Sequence, residues 1–276
     1  MKKNDNSKMK CKIIGSGGAI PTPRLFCECE ICKKARIVGH PYKRNCSSFY
    51  IESINTLIDC PEDINDSLNA KNATRVDNLF ITHWHPDHTF GLRLLLEANY
   101  DFIKEKVKKK IKIYIPTNVY NTLKEKYPTI RYMAEVIKLC NIIHIEDGNV
   151  IQIKNIKIKV VGYSGKNSET YAYLIEKDNK RLLYSPCDTI SFKNYYNFKN
   201  IDVWVTECGM FSNYEKEISF KELINRIKKI KPKKIILTHI EEEELRILGW
   251  KHMKFLKDKY NDINFEFAED GLEIDM

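Results

Sequence analysis

The stretch Thr82-His83-Trp84-His85-Pro86-Asp87-His88 places four metal-competent side chains within six residues. It follows Asn78-Leu79-Phe80-Ile81, which reads as a buried strand, and precedes Gly91-Leu92-Arg93-Leu94-Leu95-Leu96, which reads as a helix. Residues two apart on an extended segment point the same way, so His83 and His85 share a direction. Asp87 and His88 fall on the turn into the helix, where Asp87 also suits the positive end of the helix dipole. Such a loop can aim two imidazoles at one cation, and a carboxylate plus a third imidazole at another. It reads as a candidate hydrolytic centre.

Working outward, three more polar residues follow apolar runs. Asp59 ends Thr56-Leu57-Ile58-Asp59, Asp188 lies in Ser185-Pro186-Cys187-Asp188-Thr189, and His239 follows Leu237-Thr238. The patterning predicts strands over residues 11–14, 47–52, 56–59, 79–81, 111–115, 142–145, 150–153, 156–161, 171–176, 181–184, 203–206, 234–238 and 265–267. Helices are expected over 87–100, 118–126, 220–230 and 243–259, with a short one after Pro61. Two β-rich blocks, each followed by helices, imply an α/β fold of two sheets packed face to face with helices outside. Strand-end donors then collect at one edge. With no linker, repeat or low-complexity insert, residues 10–276 read as one domain behind a disordered tail over 1–9.

The 276 residues suffice for one large core, and 43% hydrophobic with 30% charged residues is a soluble globular balance. No apolar run approaches the roughly 20 residues of a bilayer span. The polar start Met1-Lys2-Lys3-Asn4-Asp5-Asn6-Ser7-Lys8 lacks a signal-peptide apolar segment, so a cytoplasmic location is expected. The net charge of +9 comes largely from lysine-rich stretches such as 104–110 and 228–234, which read as solvated helix faces. A small anionic substrate fits that charge. Nucleic acid stays open without a motif to support it, as does a homodimer.

At this point the chain resembles the metallo-β-lactamase superfamily. Asp59, His83-x-His85-x-Asp87-His88, Asp188 and His239 occur in that family's order and on matching elements. The resemblance implies an αββα sandwich with metals at one end. It assigns His83 and His85 to one metal, Asp87, His88 and His239 to the other, and Asp188 to a bridge. Asp59 becomes a carboxylate behind the metal that orients a ligand. The family's third-motif histidine is missing from 162–170, Gly-Tyr-Ser-Gly-Lys-Asn-Ser-Glu-Thr. Glu169 or Asn167 is a candidate substitute, a hard oxygen donor that favours Mn or Fe over Zn. The reading therefore settles on one metal held by Asp87, His88, Asp188 and His239, beside a second position whose occupancy is open. Asp87 and Asp188 are the catalytic candidates.

Cys27-Glu28-Cys29-Glu30-Ile31-Cys32 offers a second centre, a structural zinc in an N-terminal loop over 27–46. A redox pair is disfavoured because the loop shows no helix start that would lower a thiol's pKa. The Cys-x-Cys-x-x-Cys insert behind Gly15-Ser16-Gly17-Gly18 resembles the branch containing the phosphoribosyl cyclic phosphodiesterase of phosphonate degradation. That branch's fourth ligand falls on Glu242 here, with His40 and Cys46 as alternatives. The other cysteines (Cys11, Cys60, Cys140, Cys187 and Cys208) read as core or near-core residues, and nine unsignalled cysteines read as reduced thiols. His144 and His252 receive no role.

The resemblance thus implies a metal-dependent phosphodiesterase acting on a small phosphodiester, cyclic or acyclic, with zinc in the cysteine loop and one or two Zn, Mn or Fe ions at the histidine centre. The alternatives are an ester, thioester or lactone hydrolase of the same fold, and a non-hydrolytic cofactor-biosynthesis or binding protein.

Overall fold

Alternating runs of β-branched and aromatic residues form two seven-stranded mixed sheets in the computed structural model, which describes residues 8–70, 73, 75–165, 168–212 and 217–276. The described residues divide into two compact units, one within 8–14, 48–145 and 271–276 and the other within 15–47 and 146–270.

The first unit contains strands β1 (Lys10–Gly15), β2 (Ser48–Ile51), β3 (Thr56–Ile58), β4 (Asn78–Phe80), β7 (Ile111–Pro116), β8 (Cys140–Ile145) and β16 (Glu273–Asp275) in the order β16-β1-β2-β3-β4-β7-β8. A separate hairpin pairs β5 (Tyr100–Asp101) with β6 (Lys106–Val107). The parallel run β3-β4-β7-β8 sends the ends of β3 and β4 in one direction, so the loops carrying Asp59 and His83 leave side by side. Asp59 N–H donates to Phe80 O at 2.9 Å, which locks that exit.

The second unit orders its strands β15-β14-β13-β12-β11-β10-β9: β9 (Val150–Ile153), β10 (Ile156–Gly162), β11 (Tyr171–Lys177), β12 (Lys180–Ser185), β13 (Val203–Glu207), β14 (Lys234–Thr238) and β15 (Phe265–Phe267). Strands β12 to β15 are parallel, and their nearly continuous apolar runs suit strands buried on both faces. One helix of this unit, Phe220–Ile230, turns Phe220, Leu223, Ile224, Ile227 and Ile230 into a core with Trp204. Ser219 caps it, accepting from Glu222 N–H at 3.2 Å.

Two helices foreseen as continuous are broken. The helix expected over 87–100 becomes Pro86–Thr89 and Leu92–Glu97. Gly91 N–H donates to Cys60 O at 2.9 Å, and a Cβ there would stand 2.1 Å from Pro61 O. The close approach of the Asp59 loop interrupts the helix. The helix expected over 243–259 splits into Glu242–Leu248 and Trp250–Lys259 at Gly249, whose φ of +72° ends the first. A helix over Glu30–Val38 and strand β16 were not foreseen. Positions 1–7 of the expected tail lie outside the described residues; Met9 is buried and exchanges backbone hydrogen bonds with Met276 at 2.9 and 3.1 Å. Among the described residues, no helix is long and apolar enough to cross a membrane.

Candidate metal centres

In the first unit, a buried carboxylate organises the histidine loop. Asp59 has a left-handed φ of +64° immediately after β3 and is fully buried. Its Oδ1 accepts from Thr82 N–H at 2.8 Å, and its Oδ2 lies 2.8 Å from both Thr82 Oγ1 and His88 Nδ1. Thr82 has one hydroxyl proton, and an ionised carboxylate can only accept it. Thr82 Oγ1 is therefore left to accept from His83 Nδ1–H, 3.0 Å away. The network assigns the Nδ1–H tautomer to His83 and puts the lone pair on Nε2, the form that can ligate a metal. His88 Nδ1–H donates directly to the Asp59 carboxylate, and its Nε2 stands 3.1 Å from Asp87 Oδ2. Two ligands on one cation, with bonds of about 2.0–2.2 Å, stand roughly 2.8–3.1 Å apart at an octahedral right angle and roughly 3.3–3.6 Å apart at the tetrahedral angle, so this pair fits adjacent positions on a shared metal.

The His83 ring lies 4.6 Å from that of His85 and 4.1 Å from that of His88, centroid to centroid. His83, Asp87 and His88 are buried, and His85 is exposed. Burial alone would push the His88 imidazole down, but Asp87 and Asp59 outweigh it and hold it well above the ordinary histidine range. The predicted His83, His85, Asp87 and His88 are thus gathered in one unit, with Asp59 behind His88.

Asp188 and His239 belong to the second unit. Both adopt left-handed backbone conformations beyond strand ends, with φ of +51° and +52°. Such non-glycine outliers are uncommon, Asp and His are enriched among them, and they cluster at functional sites. Asp188 Oδ2 accepts from Thr170 Oγ1 at 3.1 Å and Oδ1 from Ser191 Oγ at 2.9 Å. Thr170 belongs to the loop that lacks the family's histidine. Of the proposed substitutes in that loop, Glu169 is exposed and Asn167 lies outside the described residues. Neighbouring groups reinforce the turn: Thr189 N–H donates to Glu207, Arg226 donates to Thr189 O, and Tyr163 Oη donates to Cys187 O at 2.9 Å. Burial pushes the Glu207 carboxyl up to about 7, against the pull of Thr189 and His239.

The cysteine cluster is also in the second unit. Cys27, Cys29 and Cys32 bring their sulfurs to 3.7, 3.8 and 3.2 Å from Glu242 Oε1. Tetrahedral zinc, with Zn–S near 2.3 Å and Zn–O near 2.0–2.2 Å, separates a sulfur and an oxygen ligand by about 3.6 Å. The three distances bracket that value. Glu242 is the residue the structure gathers, not His40 or Cys46. Arg36 pins the loop by donating to Cys27 O at 2.6 Å and Arg24 O at 2.9 Å.

One sequence expectation is overturned here. Cys29 is the N-cap of the helix Glu30–Val38, and its sulfur accepts from Cys32 N–H at 3.4 Å. The loop therefore does contain a helix start. The Cys27 thiol is held below its ordinary value, first by a backbone hydrogen bond from Cys29, whereas burial pushes the Cys32 thiol up.

Sequence reasoning missed Thr82, Thr170, Glu207 and Arg226, because their partners are distant in the chain, and Ser191, because its bond to Asp188 three residues away depends on the left-handed turn between them. A left-handed residue at a strand end was the available structural signal, and it has no sequence marker. The unassigned His144 is exposed and packs edge-on to Tyr120, while His252 lies beside Phe211. Cys11, Cys60, Cys140 and Cys208 are buried as expected, and Cys187 is partly exposed.

Two mixed sheets with their helices and strand-end donors define the metallo-β-lactamase fold. Solved structures of that fold are similar along nearly the whole chain. A diphosphatase from the PhnP family is 17% identical with a TM-score of 0.72, covering 98% of this chain and 97% of that one. Zn(2+)-bound PqqB from Methylobacterium extorquens is 15% identical with a TM-score of 0.78, covering 97% and 100%. The metallo-β-lactamase fold protein YhfI from Bacillus subtilis is 15% identical with a TM-score of 0.71, covering 98% and 100%. These identities speak for the fold. The chain belongs to the family described as anti-Pycsar protein Apyc1, whose model matches residues 40–260. A curated relative, an octanoyltransferase from Porphyromonas gingivalis (strain ATCC BAA-308 / W83), is 29% identical over 86 residues. That stretch is 30% of this chain and 17% of the octanoyltransferase, so the chain spans only a minor part of that relative.

Proposed function

We propose that the chain is a metal-dependent hydrolase that opens a small, anionic, cyclic phosphodiester. The observation that carries this reading is the Asp59–Thr82–His83–His88 network, which fixes imidazole tautomers while leaving His85 exposed. Orienting hydrogen bonds behind the donors and an open position in front of them distinguish a catalytic metal site from a structural one. The family resemblance adds Asp188 and His239 to the donor set. When bound, a Zn, Mn or Fe ion would polarise a phosphoryl oxygen and acidify water. The chain's own part is to hold His83, His85, His88 and Asp87 in their orientations and to fix the Asp188 carboxylate through Thr170 and Ser191. Lysine excess favours approach of an anion. The cysteine cluster holds a structural zinc through Cys27, Cys29, Cys32 and Glu242, a closed set of four donors.

A second reading, a non-hydrolytic binding or cofactor-biosynthesis protein, draws on the third-motif loop. There a hydroxyl, Thr170, meets Asp188 in a loop without histidine. The test is metal analysis combined with turnover of bis-p-nitrophenyl phosphate and cyclic nucleotides under Mn or Zn. Hydrolysis lost in Asp188→Ala but retained in folded Cys29→Ala supports the proposal. Metal-loaded protein that hydrolyses none of these substrates sinks it.

A further inference from the structure

The residue two beyond His239 carries a carboxylate that the donor set does not use. Glu241 Oε1 lies 3.1 Å from His239 Nδ1 and accepts from Ala19 N–H at 3.1 Å. The Gly15-Ser16-Gly17-Gly18 turn is laid against this segment. Ile240 N–H donates to Ser16 O, and Gly18 N–H to Ile240 O, both at 3.0 Å. A Cβ on Gly18 would stand 2.2 Å from Glu241 Oε1 and 2.5 Å from Oε2, so only glycine leaves the carboxylate its place. Three features thus converge on one carboxylate: an imidazole, a backbone donor and a glycine cradle.

A neutral imidazole has a single N–H, and an ionised carboxylate can only accept. Facing Glu241, His239 carries its proton on Nδ1 and keeps its lone pair on Nε2. We propose that Glu241 is a positioning residue that fixes the tautomer and ring plane of His239, so that Nε2 is presented to the cation. This rests on the reading of His239 as a metal donor. Glu241 then does for His239 what Asp59 does for His88, from a different unit and a different loop. The next residue, Glu242, closes the cysteine cluster. A single four-residue segment, His239-Ile240-Glu241-Glu242, therefore supplies a donor to one centre, its orienting carboxylate and a donor to the other.

The test uses the full chain loaded with one equivalent of Zn2+, which the thiolate cluster takes first because thiolates select zinc over harder cations. Mn2+ is then titrated, and free Mn2+ is read by electron paramagnetic resonance. Glu241→Ala should weaken Mn2+ binding by about 10–100-fold, the usual cost of losing an orienting partner, while Glu241→Gln, whose amide oxygen accepts the same N–H, stays within about threefold of the parent. Gly18→Ala keeps the carboxylate but displaces it, and should weaken Mn2+ binding likewise. Nitrogen-15 spectra of the parent should show the His239 proton on Nδ1. Parent-like Mn2+ binding by Glu241→Ala overturns the inference. So does a loss in Glu241→Gln equal to that in Glu241→Ala, or zinc lost from the cysteine cluster in step with Mn2+, which would mark Glu241 as a general support of the loop. Failure of the hydrolase reading is seen separately, as absence of turnover in parent protein that binds Mn2+ normally.

Discussion

The histidine loop of the first unit and the cysteine cluster of the second are both metal-competent, but they are built on opposite plans. The histidine loop draws its donors from one short stretch, His83 to His88, and spends long-range contacts on orienting them. Asp59, 29 residues away, holds His88. His85 stays exposed. The cysteine cluster draws a donor from across the chain: Cys32 and Glu242 are 210 residues apart, and both are buried. It gathers four donors and leaves no open position. An open, oriented site suits chemistry, and a closed one stabilises a fold. Substitutions should therefore affect catalysis at one centre and stability at the other.

The largest effect is expected from His88→Ala. It removes a donor, and kcat/KM for bis-p-nitrophenyl phosphate should fall by more than about 100-fold, above the ceiling for an orienting partner. Asp59→Ala keeps every donor but loses the network behind them. Metal affinity measured by chelator competition should fall about 10–100-fold, with the thiolate zinc retained. Cys32→Ser should reverse the pattern. Its zinc content drops, and thermal unfolding moves down by about 5–10 °C, given roughly 2–4 °C per kcal/mol for a chain of this size. Turnover per folded molecule at 25 °C should persist. If Cys32→Ser abolishes turnover at full stability, the division between the centres is wrong. Thr170→Val is the smallest change. It removes one hydrogen bond from Asp188, worth about 1 kcal/mol, so kcat should fall roughly fivefold. A parent-like kcat would remove Thr170 from the account.

The two centres were also unequally legible. His83, His85, Asp87 and His88 could be read directly, because their grouping depends only on the path of one strand and one turn. The cysteine motif was equally local, but its surroundings were not. Cysteine is not a usual N-cap residue, so nothing before Glu30 announces the helix Glu30–Val38, and by sequence Cys29 reads as plain loop. Glu242 was reached only through the family resemblance, since no local pattern ties it to Cys32. Long-range hydrogen bonds were beyond reach. Thr82 is an ordinary threonine until Asp59 faces it, and Thr170 is unremarkable until Asp188 turns toward it in a left-handed conformation. The helix breaks at Gly91 and Gly249 show the same limit. Apolar spacing continues through both, and what interrupts it is the approach of Cys60 and Pro61 to Gly91 and the positive φ of Gly249.

The most direct test of the central claim is turnover of a cyclic phosphodiester by purified, metal-loaded protein, with the product followed by phosphorus-31 spectroscopy. The account predicts metal-dependent conversion to the monoester, abolished in His88→Ala and preserved in folded Cys32→Ser. Metal bound at the histidine centre with no conversion of any phosphodiester would contradict it.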